Sequence, residues 1–178
     1  RFYKFKKPFY GINCGSIGFL LNKYLSKKIY QRIAKAKITT IHPLQVNTVS
    51  KGKKRNSFLA VNELSLLRQS KQTAFLKIKI NNKVLIKKLI GDGILLSTPA
   101  GSTAYNLSVN GPILSLNSKK LAITPISPFR PRRWRGKVVS DRKLIYIGNL
   151  DPKKRPIAAV ADNNEIRNII SVKASINK

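Results

Sequence analysis

Acid–base chemistry in this chain has few residues to draw on. There are six carboxylates, Glu63, Asp92, Asp141, Asp151, Asp162 and Glu165, and one histidine, His42. Any general base within the chain must come from this set. Asp141 and Asp151 neighbour Arg142 and Lys153-Lys154, a pattern that reads as surface ion pairing. Glu63 follows Asn62 at the end of the apolar run Phe58-Leu59-Ala60-Val61, and strand ends are where such scaffolds present polar groups. Together the two offer an amide donor and acceptor beside a carboxylate, a set suited to gripping sugar hydroxyls. The alternative is that Glu63 only pairs with Arg68. Asp92 lies between Gly91 and Gly93, ahead of Ser97-Thr98-Pro99-Ala100-Gly101-Ser102-Thr103-Ala104-Tyr105-Asn106-Leu107-Ser108, the densest run of polar and small residues in the sequence. A strand that ends in Thr-Pro-Ala-Gly and restarts at Ser-Thr-Ala gathers backbone N–H groups and hydroxyls around a helix start, where a dinucleotide's polar edges can be bound. Tyr105 adds a flat face with a hydroxyl.

These residues need elements to hold them. Pro8-Phe9-Tyr10 reads as a strand running into the glycine turn Gly11-Ile12-Asn13-Cys14-Gly15-Ser16-Ile17-Gly18, followed by Phe19-Leu20-Leu21. The glycine spacing misses the dinucleotide fingerprint, so a plain tight turn is the competing reading. Ser26 can cap a helix running to about Lys37, with Ile29, Tyr30, Ile33 and Ala34 on one face. After Thr39-Thr40 the pattern changes to period two, broken by Pro43 and by the turn Lys51-Gly52-Lys53-Lys54. From Phe75 to Ile90 a hairpin is expected: Leu76, Ile78 and Ile80 alternate with Lys77 and Lys79, and Asn81-Asn82 suits a turn needing positive φ. The coarse architecture is the tail of an α/β unit (residues 1–37), a β-rich domain (38–150) and a C-terminal segment completing the fold (151–178).

Composition sets the remaining bounds. Cys14 is the only cysteine, so no intramolecular disulfide can form, and with one histidine a protein-ligated structural zinc site is not expected. No apolar run approaches the roughly 18 residues that span a bilayer, and the chain reads as soluble and cytoplasmic with no membrane partner. It contains no methionine and so reads as a fragment of a longer translation product. The formal charge of +30 either draws nucleic acid or another polyanion or reflects a biased genome replacing surface residues with lysine. Any nucleic-acid binding that arises from scattered lysines is expected to be nonspecific.

Gly91-Asp92-Gly93 followed by Ser97-Thr98-Pro99-Ala100-Gly101-Ser102-Thr103-Ala104-Tyr105 resembles the signature of NAD kinases. The likeness extends to Gly11-Ile12-Asn13-Cys14-Gly15-Ser16-Ile17-Gly18-Phe19-Leu20, to Asn62-Glu63, and to Leu121-Ala122-Ile123-Thr124-Pro125-Ile126-Ser127-Pro128-Phe129 with the basic stretch after it. The resemblance implies an α+β fold, the tail of a Rossmann-like α/β domain followed by a mostly antiparallel β-sandwich. It implies phosphoryl transfer from ATP or polyphosphate to the 2′-hydroxyl of the adenosine ribose of NAD, with Mg2+ or another divalent metal, in a homo-oligomer (dimer or tetramer). Asn62, Glu63, Thr103, Ala104, Tyr105, Asn106, Leu107 and Ser108 would then line the NAD site. Asp92 and Ser127 would reach a dinucleotide bound mainly by a neighbouring subunit. The family's Gly-Gly-Asp-Gly motif, whose aspartate is the expected general base, is not matched here; in the family it precedes the segment resembling residues 1–8. The chain alone is therefore expected to lack that base. Asp162-Asn163-Asn164-Glu165 stands where Asp-Gly-Gln is commoner.

Two other readings remain open at this point. Phe129-Arg130-Pro131-Arg132-Arg133-Trp134-Arg135 interleaves cations with aromatics, as in basic RNA-binding proteins. A member of the family that binds NAD without turnover is the other.

Overall fold

The computed structural model describes residues 5, 7–16, 18–25 and 27–177. The chain divides into two compact units, Arg1–Thr40 and Ile41–Lys178.

In the first unit two short strands, β1 (Ile12–Asn13) and β2 (Asn22–Lys23), pair in parallel. The glycine segment between them closes on itself: Asn13 Oδ1 accepts the Gly15 N–H at 3.0 Å, and the Leu21 N–H reaches the Gly18 carbonyl. The extended piece expected at Pro8-Phe9-Tyr10 falls instead at Ile12–Asn13, since residues 8–10 pair with no strand among the described residues. Helix α1 (Ile29–Ala34) is shorter than the sequence pattern suggests, and the expected cap Ser26 lies outside the described residues. Lys28 precedes the helix at φ 63° with no side-chain cap, and no helical residue is buried. A helix this short gains little from propensity alone, and its Tyr30 is 85% exposed.

The second unit is an antiparallel sandwich. One six-stranded sheet takes β3 (Leu44–Ser50), β4 (Arg55–Ala60), β6 (Ala74–Ile80), β7 (Lys83–Gly91), β11 (Ile145–Asn149) and β14 (Ile169–Ile176), in the order β4-β3-β14-β11-β6-β7. The other takes β5 (Glu63–Arg68), β8 (Gly93–Ser97), β9 (Lys120–Ile126), β10 (Lys137–Ser140), β12 (Ile157–Ala161) and β13 (Asn164–Ile166), in the order β10-β9-β8-β5-β12-β13. Period-two patterning sends Leu44, Val46, Leu76, Ile78, Ile145 and Ile147 of the first sheet inward, to meet Leu64, Leu66, Ile94, Leu96, Leu121 and Ile123 of the second. Each buried leucine or isoleucine of this kind contributes about 1.5–3 kcal/mol. The lysines of β6, at Lys77 and Lys79, take the opposite face, and Asn81 and Asn82 turn the β6–β7 hairpin at φ 45° and 66°.

The chain changes sheet at tight corners, two of which hold residues singled out in the sequence. Val61-Asn62 carries it from β4 to β5, and Asp92 alone carries it from β7 to β8. At the second corner Gly93 is required sterically, because a Cβ there would run into the Leu66 carbonyl of the neighbouring strand. Residues 151–178 supply β12, β13 and β14, which enter both sheets. Among the described residues no helix is long and apolar enough to cross a membrane.

Candidate functional site

β5 pairs with β8 so that Glu63 lies opposite Ser97. Glu63 and the corner before it are thus placed beside the Ser-Thr-Pro-Ala-Gly run that leaves β8. This run forms a 3₁₀ turn (Ala100–Thr103) and then a single-turn helix α2 (Tyr105–Ser108). The two pieces are fastened together through Thr98. Its N–H donates to the Asn62 carbonyl at 3.0 Å, and its hydroxyl donates to the Val61 and Asn62 carbonyls at 2.7 and 3.1 Å. Gly101 packs so closely on Asn62 that a Cβ would collide with the Asn62 backbone.

The other side of the corner is held by a residue about one hundred positions away. Asp162, in the turn between β12 and β13 with φ 48°, accepts backbone N–H bonds from Val61, Asn62 and Glu63 at 2.6, 2.9 and 3.3 Å. Its own N–H donates to the Glu63 carbonyl at 3.1 Å. A carboxylate cradled by successive N–H groups is a strong charge-assisted clamp. The sequence shows Asp162 only as part of a variant Asp-Asn-Asn-Glu turn; its partners are too distant in the chain to be read from local pattern. The neighbouring Asn164 is exposed and donates weakly to the Ala161 carbonyl at 3.5 Å.

Glu63 is half-buried, and one of its oxygens, Oε2, is buried without a hydrogen-bond partner among the described residues. Burial pushes its carboxyl up to about 7, with the nearby Asp162 charge adding to the shift. The pairing of Glu63 with Arg68 does not occur. Arg68 stands at the far end of β5, where its Nε donates to Asp92 Oδ1 at 2.6 Å. Glu63 is therefore left with an acceptor aimed at no protein donor, a condition that ligand hydroxyls would relieve.

The remaining expected site residues fall into two groups. Thr103, Ala104 and Tyr105 are half-buried along the loop beside the Asn62-Glu63 corner, and Leu107 and Ser108 are exposed on α2. Asn106 differs from its neighbours in being fully buried. Its Nδ2 donates to the Pro112 carbonyl at 2.9 Å and its Oδ1 accepts from the Thr124 hydroxyl at 2.7 Å, so the side chain ties the loop to β9. Asp92 and Ser127 form a separate group. The Asp92 N–H donates to the Ile126 carbonyl, and exposed Ser127 follows at φ 45°. Four residues of β5, Leu64 to Leu67, lie between Glu63 and the Arg68 level of Asp92, a separation of roughly 16 Å at about 3.3 Å per residue. One dinucleotide lying against Glu63 need not touch both groups of one chain. Asp151, expected in a surface ion pair, accepts the Lys154 N–H at 3.2 Å and so caps its own turn.

The two-sheet antiparallel sandwich has counterparts among solved structures. A yeast NADH kinase whose crystal structure was solved with NADH superposes with a TM-score of 0.84 at 25% identity, over 94% of this chain and 50% of that one. An NAD kinase from Archaeoglobus fulgidus shares the fold, with a TM-score of 0.78 at 21% identity over 96% of this chain and 66% of that one. Residues 61–173 match the ATP-NAD kinase C-terminal domain. The NAD kinase of Zymomonas mobilis subsp. mobilis is 44% identical over 174 residues, 98% of this chain and 67% of that protein. Those of Rhizobium meliloti and Caulobacter vibrioides are 47% and 48% identical, each over 94% of this chain and 65% of their own length. The chain belongs to the NAD kinase family, and it spans about two thirds of the length of these relatives.

Proposed function

We propose that the complete protein is an NAD kinase that transfers a phosphoryl group from ATP, or from polyphosphate, to the 2′-hydroxyl of the adenosine ribose of NAD, giving NADP. The observation that carries this reading is the Asn62-Glu63 corner: fixed by Asp162 and Thr98, set against the loop of residues 98–108, and holding one buried carboxylate oxygen without a partner. In this reading the Glu63 carboxylate accepts hydrogen bonds from ribose hydroxyls while the Asn62 amide donates and accepts beside it. Thr103, Ala104, Tyr105 and Ser108 line the same site, with the Tyr105 ring against the base, and Leu107 borders it. Asn106 serves the site through the loop it anchors. The ribose oxygen attacks the terminal phosphorus, the bond to the departing phosphate chain breaks, and the hydroxyl proton passes to a base outside the described cluster. Catalysis of this kind rests on positioning and charge stabilisation.

Among the described residues no group of three or more His, Cys, Asp or Glu side chains is placed to hold a metal ion. In this reading a divalent cation arrives with the phosphates of ATP. Asp92 and Ser127, displaced along β5 and β8, suit contact with a dinucleotide held chiefly by a second copy of the chain, which makes a homo-oligomer part of this proposal. The decisive assay is NADP formation by the complete protein from NAD, ATP and magnesium. Turnover supports the reading; tight NAD binding with no NADP formed would replace it with a non-catalytic dinucleotide-binding role.

A further inference from the structure

The two sheets differ sharply in charge. The strands β3, β4, β6, β7, β11 and β14 contain no Asp or Glu and seven Lys or Arg, one in β4, two in β6, three in β7 and one in β14. The strands of the other sheet carry three cations, Arg68, Lys120 and Lys137, against two carboxylates, Glu63 and Glu165. A replacement of surface residues by lysine wherever the fold allows would not by itself sort the charge by sheet.

On the solvent side of the cationic sheet, cross-strand register places Lys79, Tyr146 and Lys173 in one row, with Lys77 opposite Gly148 in the next. A Cβ built on Gly148 would lie 2.9 Å from the Tyr146 hydroxyl and 3.1 Å from Cε1. The tyrosine ring therefore lies along the strand over the glycine instead of standing away from the sheet. The Lys79 ammonium is 5.5 Å from the ring centroid. At one side of this row Phe75 has the Lys88 ammonium 3.9 Å and the Arg155 guanidinium 3.8 Å from its ring centroid, which fixes two more cations at the same face.

We propose that this outer sheet face binds single-stranded nucleic acid, with Tyr146 as a base-stacking platform and Lys77, Lys79 and Lys173 on the flanking phosphates. The combination of a half-buried aromatic lying flat on the outer sheet face with cations on neighbouring strands fits a polymer that offers unpaired bases and regularly spaced phosphates. A second copy of the same face would bring like charges together. An anionic membrane would use the charge but not the ring, which lies along the sheet. The proposal is independent of the kinase reading.

The test is fluorescence anisotropy of fluorescein-labelled single-stranded RNA and DNA of about 12 nucleotides, titrated with the complete protein at several salt concentrations. Tyr146→Leu keeps Gly148 covered but removes the π face, and it should weaken binding of both single strands about tenfold while leaving a duplex of the same length unaffected. The double change Lys79→Gln/Lys173→Gln should weaken binding and flatten the salt slope by about 0.7 per lost phosphate contact. Lys120→Gln/Lys137→Gln, which removes equal charge from the other sheet, should change affinity less than about twofold if contact is local. Equal losses from the two lysine pairs, or unchanged binding by a folded Tyr146→Leu protein, would overturn the proposal. So would displacement of the nucleic acid by anionic phosphatidylglycerol vesicles that bind Tyr146→Leu as well as the parent. Should Tyr146→Leu fail to fold, the comparison of the two lysine pairs decides the matter.

Discussion

Glu63 is the residue on which the proposed NAD contact rests, and its environment makes two different measurements move. Its folded pKa, about 7, lies above the ordinary carboxylate value, so the folded state favours the protonated form. The stability associated with that proton is fully present below the unfolded pKa and is lost as pH rises through about 7. Glu63→Gln copies the neutral form, so it should leave the melting temperature nearly unchanged at pH 5 and raise it at pH 8. A lower melting temperature at pH 8 would mean that the charged carboxylate has a stabilising partner in the protein. Ligand hydroxyls favour the charged form, so NAD affinity should strengthen as pH rises through about 7, with proton release that calorimetry in buffers of different ionisation enthalpy would detect; binding with no proton released would count against a Glu63 contact. Asp162 acts on the same corner by geometry. Asp162→Ala leaves the Val61, Asn62 and Glu63 N–H groups without their acceptor and should cost about 1–3 kcal/mol in denaturant melts. Unchanged melts would show that water replaces the clamp. Asn62-Glu63 could be picked out from sequence because an amide and an acid stand together at the end of an apolar run, whereas Asp162 could not, because the N–H groups that recognise it come from the opposite part of the chain.

Among the elements, the loop of residues 98–108 is where sequence and structure agree in outline and differ in detail. The run of Ser, Thr, Pro, Ala and Gly does interrupt a strand and start a short helix, since those residue types govern local backbone choice. Which of its side chains face outward depends on packing against β9, and Asn106 turns inward to bond Thr124 and Pro112. Asn106→Ala would leave the Thr124 hydroxyl and the Pro112 carbonyl short of a partner in a buried setting, so a loss of about 1–3 kcal/mol in stability is expected. NAD binding should weaken with it as the loop slackens; weakened binding with unaltered stability would instead make Asn106 a direct ligand. The β6–β7 hairpin was legible for the same local reason, because Asn81 and Asn82 tolerate the positive φ that a two-residue turn demands. The start of the chain was less so: α1 buries none of its residues fully, and amphipathic spacing alone overestimates its length.

At the scale of the whole molecule, the β-rich character and the change of pattern near residue 40 could be read from periodicity, because alternation reports directly on a half-buried strand, whereas the antiparallel sandwich was implied by the family resemblance. Strand order could not, since it rests on pairings such as β5 with β12 and β3 with β14 that join distant segments. Residues 33–42 are exposed throughout and include Lys35 and Lys37, so limited trypsin digestion should cut there first and leave the sandwich of residues 41–178 resistant. Early cleavage at Lys77 or Lys79, inside β6, would contradict a stable sandwich. In the proposed function the sandwich serves by carrying a fixed corner at one end of β5, where Glu63 meets the loop of residues 98–108. The most direct test is steady-state kinetics of NADP formation by the complete protein, with ATP and magnesium, for the parent and Glu63→Gln at pH 8. Loss of a hydrogen bond to a charged acceptor predicts a fall in kcat/KM for NAD of about tenfold or more in a protein that melts no lower than the parent; unchanged kinetics in that folded variant would remove Glu63 from the site and the account with it.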